Sequence, residues 1–134
     1  MQQPEDVPSS PGTFVELGAL DGVTGSNTIL LERCFGWNGL LIEANPGNYD
    51  RLIRGSQRAA TKTHAAVCDS KTGTVRITMQ PGPVAGQVDV AGASRARNRT
   101  GYHIDRVVSV PCRPLPTLMR EAMVPRDLGI APSN

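Results

Sequence analysis

The sequence predicts an α/β domain built on a parallel, doubly wound sheet, and three observations carry the prediction. Short β-prone runs at 13–17, 39–43 and 64–68 alternate with two stretches whose apolar residues fall at helical spacing. Gly39-Leu40-Leu41-Ile42-Glu43 stays apolar until its last residue, the pattern of a strand covered on both faces. The connections between these runs are short enough for right-handed parallel crossovers. A length of 134 residues fits one domain, and 39% hydrophobic with 19% charged residues is enough apolar content to fold.

The first strand, 13–17, ends at Gly18, and Gly22 and Gly25 punctuate the loop that follows. A helix over 28–35 comes next, with Ser26 or Asn27 able to cap its free amides and Gly36 to end it. After the second strand, Pro46 suits a first helical turn, Tyr49, Leu52 and Ile53 form the apolar stripe, and Gly55 closes the helix. His64 opens a third strand over 64–68, completing strand-helix-strand-helix-strand. Residues 74–79 alternate with period two, as a half-exposed strand does. A mobile loop is expected over 81–103, a strand over 106–112 and a short helix over 116–123. Residues 1–12 read as a disordered leader and 125–134 as a tail, leaving 13–124 as the domain and 13–69 as its ligand-binding half.

Composition excludes several function classes. Fourteen basic against twelve acidic side chains give +2, too little to indicate a nucleic-acid or anionic-membrane partner. No apolar run is long enough to span a bilayer, and without a targeting signal the expected location is cytoplasmic. Cys34, Cys68 and Cys112 are odd in number and widely spaced, which predicts free thiols rather than a disulfide or a zinc site. His64 and His103 lack carboxylate or cysteine companions at ligand spacing, so no metal is expected. Arg95, Arg97 and Arg99 read as a solvated loop, and Trp37 as a packing residue.

The chemistry concentrates at two strand ends. Glu16-Leu17-Gly18-Ala19-Leu20-Asp21-Gly22 places an acid before glycines in the spacing acid-x-G-x-x-x-G, where a ligand must approach the backbone closely. Neither G-x-G-x-x-G nor a Walker loop is present. Glu43 stands where nucleotide-binding sheets place an acid to accept both ribose hydroxyls. Together these residues define a site for an adenosine with a polar tail, the tail near Glu16 and Gly18 and the ribose at Glu43.

Those residues, with Ser26-Asn27-Thr28, Leu31-Glu32, Gly36-Trp37-Asn38-Gly39 and Leu41-Ile42-Glu43-Ala44-Asn45-Pro46, resemble the FkbM-type S-adenosylmethionine-dependent methyltransferases. The resemblance is dense over 13–68 and weaker over 107–118. It implies a Rossmann-like class I methyltransferase sheet that methylates hydroxyl oxygens of small molecules or sugars. It also implies Glu16, Gly18, Asp21 and Gly22 near the methionine part of S-adenosylmethionine, and Glu43 on the ribose. Ala44, Asn45, Val67, Cys68 and Asp69 would border the adenine. Ser26, Asn27 and Thr28 are either cofactor contacts or a helix cap.

The family continues after the helix near Leu118 with a strand resembling L-K-I-D-x-E-G, which Val124-Pro125-Arg126-Asp127-Leu128 does not match. The sheet is therefore expected to be incomplete, with strand one as an edge that a second copy or another partner covers. An alternative reading is a truncated, catalytically inactive cofactor-binding fragment or interaction module. A nicotinamide-dependent enzyme ranks below both because its glycine loop is missing. No catalytic residue or general base is assigned.

Overall fold

The structure, a computed structural model, describes residues 10–69, 73–78 and 107–122. In chain order the elements are β1 (Thr13–Leu17), α1 (Ile29–Phe35), β2 (Asn38–Glu43), α2 (Pro46–Gly55) and β3 (Thr61–His64). They continue with β4 (Ala66–Cys68), β5 (Gly73–Thr78), β6 (Val107–Pro114) and α3 (Leu115–Ala122). The expected loop over 81–103, the tail over 125–134 and the leader up to residue 9 lie outside the described residues.

Two three-stranded sheets form among the described residues. The first is parallel with order β1-β2-β3, and the second has order β4-β6-β5, with β4 parallel and β5 antiparallel to β6. Among the described residues β1 pairs with β2 alone and is the edge of its sheet. The first sheet is covered on both faces, as its unbroken apolar central strand predicts. On one face Phe14 and Leu41 pack with Leu52 of α2, Ala19 and Ala60, and Leu31, Trp37 and Tyr49 lean on this cluster. On the other, Leu40 and Ile42 pack with Ala65 and Leu118 of α3, flanked by Val15, Leu115 and Met119. Trp37 is thus a packing residue, as expected.

Several boundaries depart from the sequence reading. The expected third strand over 64–68 is two strands. β3 runs along β2 only as far as Glu43, where β2 ends, and His64 is its last residue rather than its first. The Ala65 amide then donates to the Glu43 carbonyl at 3.1 Å, and the next residues pair with β6 instead. Helix α1 starts one residue later than expected, with Thr28 as its N-cap residue and no side-chain cap; Gly36 ends it in the left-handed conformation, φ 65°. Helix α2 matches its expected bounds, with Pro46 in the first turn and Asn45 Oδ1 accepting from the Gly47 and Asn48 amides.

The cysteines are also corrected. Cys68 and Cys112 form a disulfide across the β4–β6 pair, with Cα atoms 5.7 Å apart, and the free thiol is the exposed Cys34. The two partners are 44 positions apart, so only strand pairing brings them together. No helix among the described residues is long and apolar enough to cross a membrane.

Candidate functional site

A cavity of about 230 Å³ opens at the carboxyl ends of the parallel strands, the place where open α/β sheets bind ligands. Leu17 and Gly18 contribute from the end of β1, Ile42, Glu43, Ala44 and Asn45 from the end of β2, and Ala65, Ala66 and Val67 from the β3–β4 junction. Val75 and Ile77, on one face of β5, close it from the second sheet. The walls are mostly apolar, with Glu43 as the acidic group. Ligand sites have this composition, a greasy enclosure with a few placed polar atoms.

Glu43 is 6% exposed. Its Oε2 accepts the Leu20 amide at 2.8 Å and its Oε1 accepts the Asn45 amide at 2.8 Å. A carboxylate offers about four acceptor positions, so each oxygen keeps one for a further donor. The same bonds dock the loop after β1 onto the end of β2, helped by the Ala19 amide donating to the Ile42 carbonyl at 3.0 Å. Leu20 sits at φ 55°, a left-handed conformation uncommon for a residue with a side chain. At the end of β3, His64 Nε2 lies 3.0 Å from the Ala44 carbonyl oxygen and its ring stacks on Tyr49 with centroids 4.9 Å apart. Both contacts brace the segment after β2.

The rest of the glycine loop is organised around a buried arginine. Arg58, in the connection from α2 to β3, has a side chain with 0% exposure. Its Nη1 donates to the Gly22 carbonyl at 2.7 Å and to Ser26 Oγ at 3.0 Å, its Nη2 to Thr28 Oγ1 at 2.9 Å, and its Nε to Glu32 Oε2 at 2.8 Å. The Ser26 and Thr28 hydroxyls in turn donate to Glu16 Oε2, while Glu16 Oε1 accepts the Asn27 amide at 3.2 Å. The guanidinium lies 3.8 Å from the Glu16 carboxylate and 5.5 Å from the centre of the Phe14 ring. For Glu32, burial on its own raises the pKa, but the Arg58 hydrogen bond, the Ala59 and Ala60 amides and the arginine charge outweigh it. The net shift is downward.

Nine of the predicted site residues divide into two groups. Gly18, Glu43, Ala44, Asn45 and Val67 line the cavity together. Glu16, Gly22, Ser26 and Asn27 belong to the arginine network beneath the loop. Ser26 and Asn27 do not cap α1; they bind Glu16 instead. Asp21 closes its own turn: Thr24 Oγ1 donates to Oδ2, and the Val23 and Thr24 amides donate to Oδ1 at 2.9 and 2.7 Å. The Thr24 hydroxyl is the main reason its pKa is lowered, burial opposing and the turn amides adding to the effect. Cys68 is in the disulfide and Asp69 is exposed beyond it, and neither lines the cavity.

Sequence reasoning missed Arg58, Glu32, Val75 and Ile77. No local motif surrounds Arg58, and the acceptors of its side-chain hydrogen bonds lie 26 to 36 positions away. The alternation in β5 did mark Val75 and Ile77 as one face, but not what that face covers. Comparison with protein-family models, curated proteins and solved structures finds no match to this chain.

Proposed function

We propose that this chain binds S-adenosylmethionine in the cavity at the strand ends and is a Rossmann-like methyltransferase of the FkbM type, acting on a hydroxyl oxygen of a small molecule or sugar. The observation that carries the reading is the convergence of Gly18, Glu43, Ala44, Asn45 and Val67, drawn from the ends of β1 and β2 and from β4, on one cavity. A volume of about 230 Å³ suits the nucleoside portion of such a ligand, with the rest extending past the exposed Gly18. Leu17, Ile42, Ala65 and Val67 offer apolar walls for a purine, and Glu43 keeps acceptor positions for ribose hydroxyls. The absence of a Cβ at Gly18 lets a ligand approach the backbone there.

The sulfonium of the cofactor supplies an activated methyl group, so positioning rather than a covalent protein nucleophile accounts for most of the acceleration. This chain's part is to hold the adenosine, shield it with Val75 and Ile77, and keep the loop after β1 docked. The acceptor is taken to be a small molecule, and no residue is assigned as its general base.

Calorimetric titration with S-adenosylmethionine and its demethylated product tests the reading, and no binding at millimolar ligand would defeat it. Glu43→Ala should weaken binding by about 1–3 kcal/mol, the value of a hydrogen bond to a charged group plus its desolvated partner. Because Glu43 also docks Leu20 and Asn45, thermal melting of the variant is recorded alongside. Unchanged affinity in a folded variant rejects the ribose assignment.

A further inference from the structure

We infer that Arg58 is the positioning residue of the cofactor site, its buried guanidinium holding the loop over 18–28 in the shape that presents Gly18 and docks Leu20 on Glu43. The inference rests on the cofactor reading above for its ligand, and on the arginine geometry for its substance. Arg58 reaches no wall of the cavity. It acts through the loop.

The fork of Arg58 meets the loop at three separated points, the Gly22 carbonyl, Ser26 Oγ and Thr28 Oγ1, and ties them through Nε to Glu32 on α1. The two hydroxyls bridge it to Glu16 at the end of β1, so one cation joins strand, loop and helix. Such a divergent set of acceptors matches the rigid planar donors of arginine and not the single point charge of lysine. The loop has need of it. Leu20 is held at φ 55°, and a left-handed non-glycine residue persists only where its surroundings over-determine it. Helix α1 has no fully buried residue, so apolar packing alone leaves this segment weakly fixed. The guanidinium and its carboxylates supply what the packing does not.

The test uses the full 134-residue chain. Binding of the demethylated cofactor product is titrated in the wild type and in Arg58→Lys, and amide hydrogen exchange is followed in both. Arg58→Lys is expected to bind roughly tenfold more weakly, since charge remains but the fork is lost. Amides over 19–28 are expected to exchange faster while those of Leu40, Leu41 and Ile42 keep their rates. Arg58→Ala supplies a second arm, in which added methylguanidinium is expected to restore affinity. Wild-type affinity in Arg58→Lys, or a loss accompanied by faster exchange in β2 and no methylguanidinium rescue, overturns the inference. If the wild type itself does not bind, the cofactor reading fails separately. Exchange over 19–28 then decides the loop-holding role alone, faster rates in Arg58→Lys supporting it and unchanged rates overturning it.

Discussion

A methyl group added at Gly22 has no room. Its backbone lies at φ 80°, and a Cβ there would stand 2.7 Å from Leu52 Cδ1 and 2.9 Å from Ser56 Cβ. Gly25 has a similar φ of 66° but nothing within 4 Å. Gly25→Ala should therefore cost only the left-handed strain, about 1–2 kcal/mol. Gly22→Ala should cost that plus an overpacking penalty of about 1–3 kcal/mol. Urea unfolding of the two variants reads the difference, and equal losses contradict the close approach. Glu32 makes a second prediction at this scale. Its folded-state pKa is below the ordinary value of 4.5, so the stability it contributes is complete above that value. That stability is lost as pH falls through the lower folded value. Glu32→Gln should flatten the acid limb of stability as pH falls below about 4.5, measured as urea midpoints. An unaltered slope removes Glu32 from the account.

At the scale of elements, α2 was legible from its own residues. Pro46 in the first turn, the apolar positions Tyr49 and Leu52, and the cap at Asn45 agree with one another and with the structure. Ile53, expected in the stripe, is 48% exposed because the core-facing arc of this helix is narrow. Asn45 lines the cavity with its Oδ1 committed to the Gly47 and Asn48 amides. Asn45→Ala should thus destabilise the protein by about 1 kcal/mol through the lost cap. Thermal melting of the variant measures this, and an unchanged midpoint argues against the cap. The break between β3 and β4 was not legible. His64-Ala65-Ala66-Val67-Cys68 contains no turn residue to mark a break, and only the end of β2 at Glu43 decides where pairing must change partner.

Across the whole molecule, two small sheets meet at Ala65, whose amide donates to the Glu43 carbonyl, and the Cys68–Cys112 disulfide crosslinks β4 to β6 within the second sheet. A crosslink between residues 44 positions apart restricts the unfolded chain strongly. Reduction should lower stability by about 2–4 kcal/mol. Thermal melting with and without reductant measures this, and alkylation of the native protein should label Cys34 alone. Equal melting, or labelling of all three cysteines before reduction, contradicts the crosslink. The β1 edge is the other feature at this scale: among the described residues β1 pairs on one side only, and Leu17 at its end is 54% exposed.

Local pattern determined the strand-helix-strand-helix course of 13–55, the glycine loop and the placement of Glu43 at a strand end, because periodicity, caps and turn residues act over a few positions. The tertiary structure alone decided which of the acids faces a cavity. Glu43 does, while Glu16, equally prominent in the sequence, is turned toward Arg58 and the Ser26 and Thr28 hydroxyls. Buried charges must find partners wherever the fold brings them, and partners as distant as Arg58 and Gly22 or Cys68 and Cys112 leave no periodic trace in the chain.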